Sequence, residues 1–284
     1  MNHTTVILQL ICPDRPGLVS EIAGWVYQKG GNIRHADHHT DDGASLFLSR
    51  IEWDLKGFAI KKEDIPKQVQ SLANKLSGEA KVSFSDDKPK VAIFVSKQSH
   101  CLLDILWRAK SLELPMEIPL IISNHLDLEP ICKQFSIPFK YINMKPGMKN
   151  ESEKKILDLL ISNNIEFVIL AKFMQILSGN FLKKFSSVIN IHHSFLPAFK
   201  GAQPYQRAWE RGVKLIGATA HYVTEELDNG PIIEQTIAHI SHRDEVTDLI
   251  RIGRDTERIA LARAIRLHLK RQVIVYGSRT AVFS

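Results

Sequence analysis

Asn190 and His192 stand two residues apart at the end of the apolar run Val188-Ile189-Asn190-Ile191-His192. Alternate side chains of a strand share a face, so this run presents an amide and an imidazole together. A carboxylate, Asp228, follows in the acidic turn Glu225-Glu226-Leu227-Asp228-Asn229-Gly230-Pro231, between strand-like runs that could fold it back over the first pair. Attack on a carbonyl such as that of a formamide builds negative charge on oxygen, which an amide donor and an imidazolium stabilise in a dry pocket. A positioned carboxylate can orient the nucleophile and mediate proton transfer to the leaving nitrogen. Taken singly, each residue also has a plainer reading: Asn190 as a strand-end cap, His192 as a satisfied interior histidine, Asp228 as a turn residue.

Other polar clusters give less. His192-His193, and His35 with His38-His39, lack further ligands at zinc-like spacing, so no metal site is expected. Cys12, Cys101 and Cys132 are odd in number and scattered, which fits reduced structural thiols. The net charge of +6 is spread along the chain and densest between Arg251 and Arg271, the pattern of a solvated helix face and not of a nucleic-acid groove. No apolar window approaches the ~20 residues of a membrane span, and the start carries no signal-peptide pattern, so a cytoplasmic protein without nucleic-acid or membrane partners is expected.

The elements that must position these residues fall into two groups. From residue 90, strand runs at 90–95, 118–122, 139–142, 167–170 and 188–191 alternate with helical stretches near 101–112, 127–135, 151–163 and 176–185. Such alternation predicts a doubly wound, mostly parallel sheet with helices on both faces, binding ligand beyond the carboxyl ends of its strands. Ahead of it, residues 1–85 read as β-α-β-β-α-β, a ferredoxin-like unit with hairpin chemistry at Asp41-Asp42-Gly43. A polar linker, 86–89, separates this unit from a catalytic domain expected to span 90–284.

Asp14-Arg15-Pro16-Gly17-Leu18, with Gly30-Gly31-Asn32-Ile33, resembles the start of an ACT domain, a module that commonly binds amino acids and self-associates. The resemblance makes Asp14, Gly17 and Asn32 candidates for an amino-acid effector site and a homo-oligomer the expected assembly. Scaffolding alone remains open.

The two runs around Asn190-Ile191-His192 and Thr219-Ala220-His221…Asp228 together resemble the folate-dependent formyltransferase family. That resemblance implies Asn190, His192 and Asp228 as catalytic, with 10-formyltetrahydrofolate as substrate and no tightly bound cofactor. It also implies that Leu170, Phe173, Met174 and Ile176 line the pteridine pocket, with Thr219 and His221 in support. The surplus positive charge would suit the carboxylates of a folate tail.

The family divides by acceptor. In members that formylate glycinamide ribonucleotide, the loop after the first strand is glycine-rich and cradles phosphate. Here it reads Ser96-Lys97-Gln98-Ser99-His100-Cys101, without glycine, and side chains hinder the backbone approach a phosphate cradle uses. This loop, Ser123-Asn124-His125, the 192–202 run and the leading ACT-like module resemble members that hydrolyse the formyl group to tetrahydrofolate and formate, a source of formate for purine synthesis. Lys97 and His100 are then expected to fill the acceptor space and leave room for water. A transferase using glycinamide ribonucleotide or tRNA, and a non-catalytic amino-acid or folate sensor, are the rival readings.

Overall fold

The computed structural model describes residues 4–145, 147–197 and 204–283. Its contacts divide the chain into two compact units, one formed by Met1–Asp87 with Lys270–Ser284 and the other by Lys88–Leu269.

In the first unit, β1 (Thr5–Pro13), α1 (Leu18–Gln28), β2 (Ile33–Asp41), β3 (Leu46–Asp54), α2 (Ile65–Lys75) and β4 (Glu79–Phe84) follow the expected β-α-β-β-α-β order. The antiparallel sheet has strand order β2-β3-β1-β4. Alternation along β1 sends Val6, Leu8, Leu10 and Cys12 into one core with Leu18, Ile22 and Val26 of α1 and Ile65, Val69 and Leu72 of α2. Gly17, with φ of 89°, turns the chain into α1 in a conformation other residues rarely adopt.

The opposite face of this sheet is also covered. The hairpin β12 (Val273–Tyr276) and β13 (Arg279–Val282) ends the chain, and its Ile274, with Ala281 and Phe283, packs on Leu48. Arg50, almost fully buried, donates to the backbone carbonyls of Lys270 and Arg271 and pairs with Glu52. The segment 270–284, expected within the catalytic domain, therefore groups with the first unit, because burying Leu48 and satisfying Arg50 require it there. Nothing in the hydrophobic periodicity of so short a hairpin announces its partner.

The second unit holds β5 (Lys90–Val95), α3 (His100–Lys110), β6 (Glu117–Ser123), α4 (Glu129–Gln134), β7 (Phe139–Tyr141), α5 (Lys149–Ser162), β8 (Phe167–Leu170), α6 (Gly179–Lys184), β9 (Val188–His192), α7 (Pro204–Arg211), β10 (Leu215–Tyr222), β11 (Ile232–His239) and α8 (Val246–Leu269). Its seven-stranded sheet runs β11-β10-β9-β8-β5-β6-β7. Strands β5 to β9 pair in parallel, while β10 and β11 add an antiparallel edge. The fully buried runs Val91–Val95 and Phe167–Leu170 explain the continuous hydrophobicity of the central strands. The chain builds outward from β5 to β6 and β7, then crosses to β8 on the other side. Sheets of this kind bind ligands beyond the carboxyl ends of their strands, near such a reversal.

Candidate active site

A cavity of about 330 Å³ lies beyond the carboxyl ends of β8 and β9, lined by the segment Leu170–Leu177 after β8, by Asn190, His192 and His193 at the end of β9, by His221 on β10, and by the loop Val223–Asp228. Antiparallel register sets Thr219 opposite His192 and His221 opposite Asn190. The sheet thus places the imidazole of His221 against the amide of Asn190, at 3.2 Å. The 223–228 loop brings Asp228 back over the pair, its Oδ2 3.2 Å from His192 Nδ1 and its Oδ1 3.8 Å from His221 Nε2.

Hydrogen bonding fixes the state of each group. His221 Nδ1 lies 2.9 Å from the carbonyl oxygen of Tyr222, which only accepts, so this nitrogen carries the ring hydrogen. Burial pushes the His221 pKa down, favouring the neutral ring. Its Nε2 lone pair then accepts from Asn190, and the second N–H of that amide is left for another acceptor. The hydrogen bond from His192 holds the Asp228 carboxyl below its ordinary value, so it is ionised at neutral pH. His192 is 6% exposed, and among the described residues its Nε2 has no hydrogen-bond partner. A buried nitrogen of this kind is one a bound substrate or water can use.

Leu170, Phe173, Met174 and Ile176 all line the cavity, joined by Leu177, Val223 and Leu227. Met174 and Ile176 remain 60% and 58% exposed, an apolar surface open to a flat ring system. Their backbone is pinned from two sides. Ser96 accepts from Met174 N at 3.1 Å, and Glu153, 4% exposed, accepts from the backbone and hydroxyl of Ser178.

Thr219 supports the site from behind the cavity wall, while Lys97 and His100 sit elsewhere than expected. Thr219 does not line the cavity; fully buried, it accepts from Leu196 N and Gln235 Nε2 and donates to Ser194 O, pinning the turn after the two histidines. Lys97 is exposed and does not line the cavity. The imidazole of His100 is engaged 2.6 Å from Glu257 on α8, so it does not occupy an acceptor space in this cavity. In the first unit, Asn32 donates to Asp54 at 2.8 Å and Asp14 is exposed, leaving Gly17 in its turn. Residues 198–202 of the quoted motif lie outside the described residues.

Glu257 carries no signal in its local sequence pattern. Its carboxylate is 1% exposed and accepts from His100, Lys172 and Tyr205. Burial alone would raise its pKa, but the His100 hydrogen bond and the Lys172 charge outweigh this and hold it at about 2. Among the described residues, His100, Cys101 and Glu257 bring potential metal donors within 4.8 Å of one another. Burial pushes the Cys101 thiol up, and Lys172 already supplies the positive charge for Glu257, so the donor set is that of an ion pair.

The chain is similar to known proteins over both units. A family model for formyl transferase matches residues 89–265, and one for the ACT domain matches residues 6–73. A formyltetrahydrofolate deformylase of Synechocystis sp. is 53% identical over 284 residues, covering 100% of both chains. The Bacillus subtilis deformylase is 44% identical, covering 98% of this chain and 93% of its own. The crystal structure of the Pseudomonas syringae pv. tomato deformylase superposes with a TM-score of 0.97 at 39% identity, over 100% of this chain and 96% of that one. A glycinamide ribonucleotide transformylase of Symbiobacterium toebii reaches 0.66 at 27%, over 71% of this chain and 97% of its own. With both modules matched end to end, the chain belongs to the formyltetrahydrofolate deformylase family.

Proposed function

We propose that the protein hydrolyses 10-formyltetrahydrofolate to tetrahydrofolate and formate, with Asn190, His192 and Asp228 at the reacting centre. The observation that carries this is the convergence of an amide donor, a carboxylate-paired imidazole and an apolar wall on one cavity of about 330 Å³. The pteridine lies against Leu170, Phe173, Met174 and Ile176. The free N–H of Asn190 polarises the formyl oxygen.

Water attacks the formyl carbon, forming a C–O bond as the carbonyl π pair moves to oxygen. His192 Nε2 takes the proton of that water. Asp228, held ionised, orients the ring through Nδ1 and balances the imidazolium charge. Collapse of the adduct breaks the C–N bond, and His192 returns the proton to the departing folate nitrogen. The depressed pKa of Asp228 favours its orienting role, with His192 carrying the proton.

The formate released would feed purine synthesis and balance one-carbon pools. The leading ACT domain suits an amino-acid effector and a homo-oligomer of at least two chains, for which a light-scattering mass above that of one chain is the test. The free, buried Cys12, Cys101 and Cys132 fit a reducing cytoplasmic setting, and no helix among the described residues is long and apolar enough to cross a membrane. Equal amounts of tetrahydrofolate and formate, produced without any amine, support hydrolysis. Turnover only on adding glycinamide ribonucleotide assigns the site to transfer.

A further inference from the structure

A second buried polar cluster lies beside the reacting centre in the same unit. The Glu257 carboxylate, on α8, accepts from Lys172 Nζ at 3.2 Å and Tyr205 Oη at 2.9 Å through Oε1, and from His100 Nε2 at 2.6 Å through Oε2. Gly253, one turn earlier on the same helix face, makes this possible: a Cβ there would collide with the Tyr205 ring and hydroxyl. Lys172 is 6% exposed and sits at φ of 63°, a left-handed conformation unusual for a lysine, just after β8. Its ammonium reaches on to His193 Nδ1 at 3.1 Å, and Lys172 and His193 both line the catalytic cavity.

This contact decides the chemistry of His193. An ammonium only donates, so Nδ1 of His193 must present its lone pair and the ring hydrogen must sit on Nε2. The neighbouring ring is set the opposite way, because His192 Nδ1 faces the acceptor-only carboxylate of Asp228. The two imidazoles stack with centroids 5.0 Å apart and planes 19° from parallel. Fixing one ring therefore fixes the surface against which the other lies. Buried ion pairs are seldom retained for stability alone, since apolar replacements often serve as well, whereas a hydrogen-bonded pair holds one geometry.

We propose that Glu257 and Lys172 are positioning residues for the reacting centre: Glu257, held by His100 and Tyr205, aims the Lys172 ammonium at His193 Nδ1, locking the tautomer and plane of His193 and, through the stack, the orientation of His192. The inference rests on the hydrolytic reading for its kinetic consequence but not for the tautomer. It also assigns His100 a task other than filling an acceptor space.

The test compares the full-length wild type with Lys172→Met, Lys172→Arg and Tyr205→Phe. Formate release gives kcat and KM, and long-range 1H–15N spectra of the imidazoles give the His193 tautomer. Lys172→Met is expected to lower kcat about 10- to 100-fold, the scale of a misplaced catalytic group, with KM changed less than about twofold. The His193 hydrogen is expected on Nε2 in the wild type and distributed over both nitrogens in Lys172→Met, with Lys172→Arg restoring much of both properties. A kcat within about twofold of wild type in Lys172→Met, or a wild-type His193 with its hydrogen on Nδ1, overturns the proposal. If Lys172→Met does not fold, Tyr205→Phe decides: a lower kcat at constant KM supports the device, and an unchanged kcat overturns it. A wild type that releases no formate defeats the hydrolytic reading, and the tautomer then decides the positioning device on its own.

Discussion

Asp228 Oδ2 lies 3.2 Å from His192 Nδ1, joining a loop between β10 and β11 to the last residue of β9. The residue that makes this contact has φ of 52°, a left-handed conformation that Asp tolerates better than most side chains. Asp228→Asn keeps the shape but loses the negative charge. The expected result is a kcat reduced by about two to four orders of magnitude with KM little changed, as measured by steady-state formate release.

Asn190 is held by His221 at 3.2 Å, and that ring is itself anchored to the Tyr222 carbonyl. Asn190→Ala removes the donor to the formyl oxygen and is expected to lower kcat about 10²- to 10³-fold. His221→Phe keeps a ring but frees the amide, so a smaller loss is expected. Equal losses in the two variants would mean that His221 acts on the substrate directly.

Thr219 serves the site from beneath. Replacing it with Val keeps the shape and deletes the hydroxyl that serves Ser194, Leu196 and Gln235. Unpaired groups left buried by that change cost about 1–3 kcal/mol. Thermal unfolding should show the loss, and activity should fall less than in Asn190→Ala.

Glu257 gives a pH signature. Its folded pKa of about 2 lies below the ordinary 4.5, so the stability it contributes is complete above 4.5 and is lost as pH falls towards 2. The gap in unfolding temperature between wild type and Glu257→Gln should therefore hold above about pH 4.5 and narrow as pH falls from there towards 2. A gap that widens on acidification would contradict the ionised, paired state.

The terminal hairpin offers a test in the first unit. Ile274 is 4% exposed against Leu48, and Ile274→Ala is expected to cost about 2–5 kcal/mol in chemical denaturation. A wild-type midpoint would mean that the hairpin does not cover the sheet.

Much of this was legible in the sequence because it depends on local pattern. Alternation at Val6, Leu8 and Leu10, the spacing of Leu18, Ile22 and Val26, and the apolar runs of β5 and β8 report burial directly. Asn190 and His192 share a face by strand period alone, and the family motifs brought in Asp228. Side-chain contacts between distant elements were not legible. Nothing near Glu257 in the sequence says that it meets His100, Lys172 and Tyr205, since those meetings depend on how α3, α7 and α8 pack. The types and spacing of Lys172 and Tyr205 likewise carry no sign of that contact. A loop reads as polar whether its side chains point to a cavity or to a buried carboxylate, so the sequence alone does not place His100 against Glu257.

Water, and no amine, accepts the formyl group in the proposed reaction. Turnover of 10-formyltetrahydrofolate in 18O-labelled water, with no amine present, tests it most directly by mass spectrometry of the formate. Hydrolysis requires one labelled oxygen in each formate released, in step with tetrahydrofolate. Unconsumed substrate under these conditions, with formyl transfer appearing once glycinamide ribonucleotide is added, would contradict it.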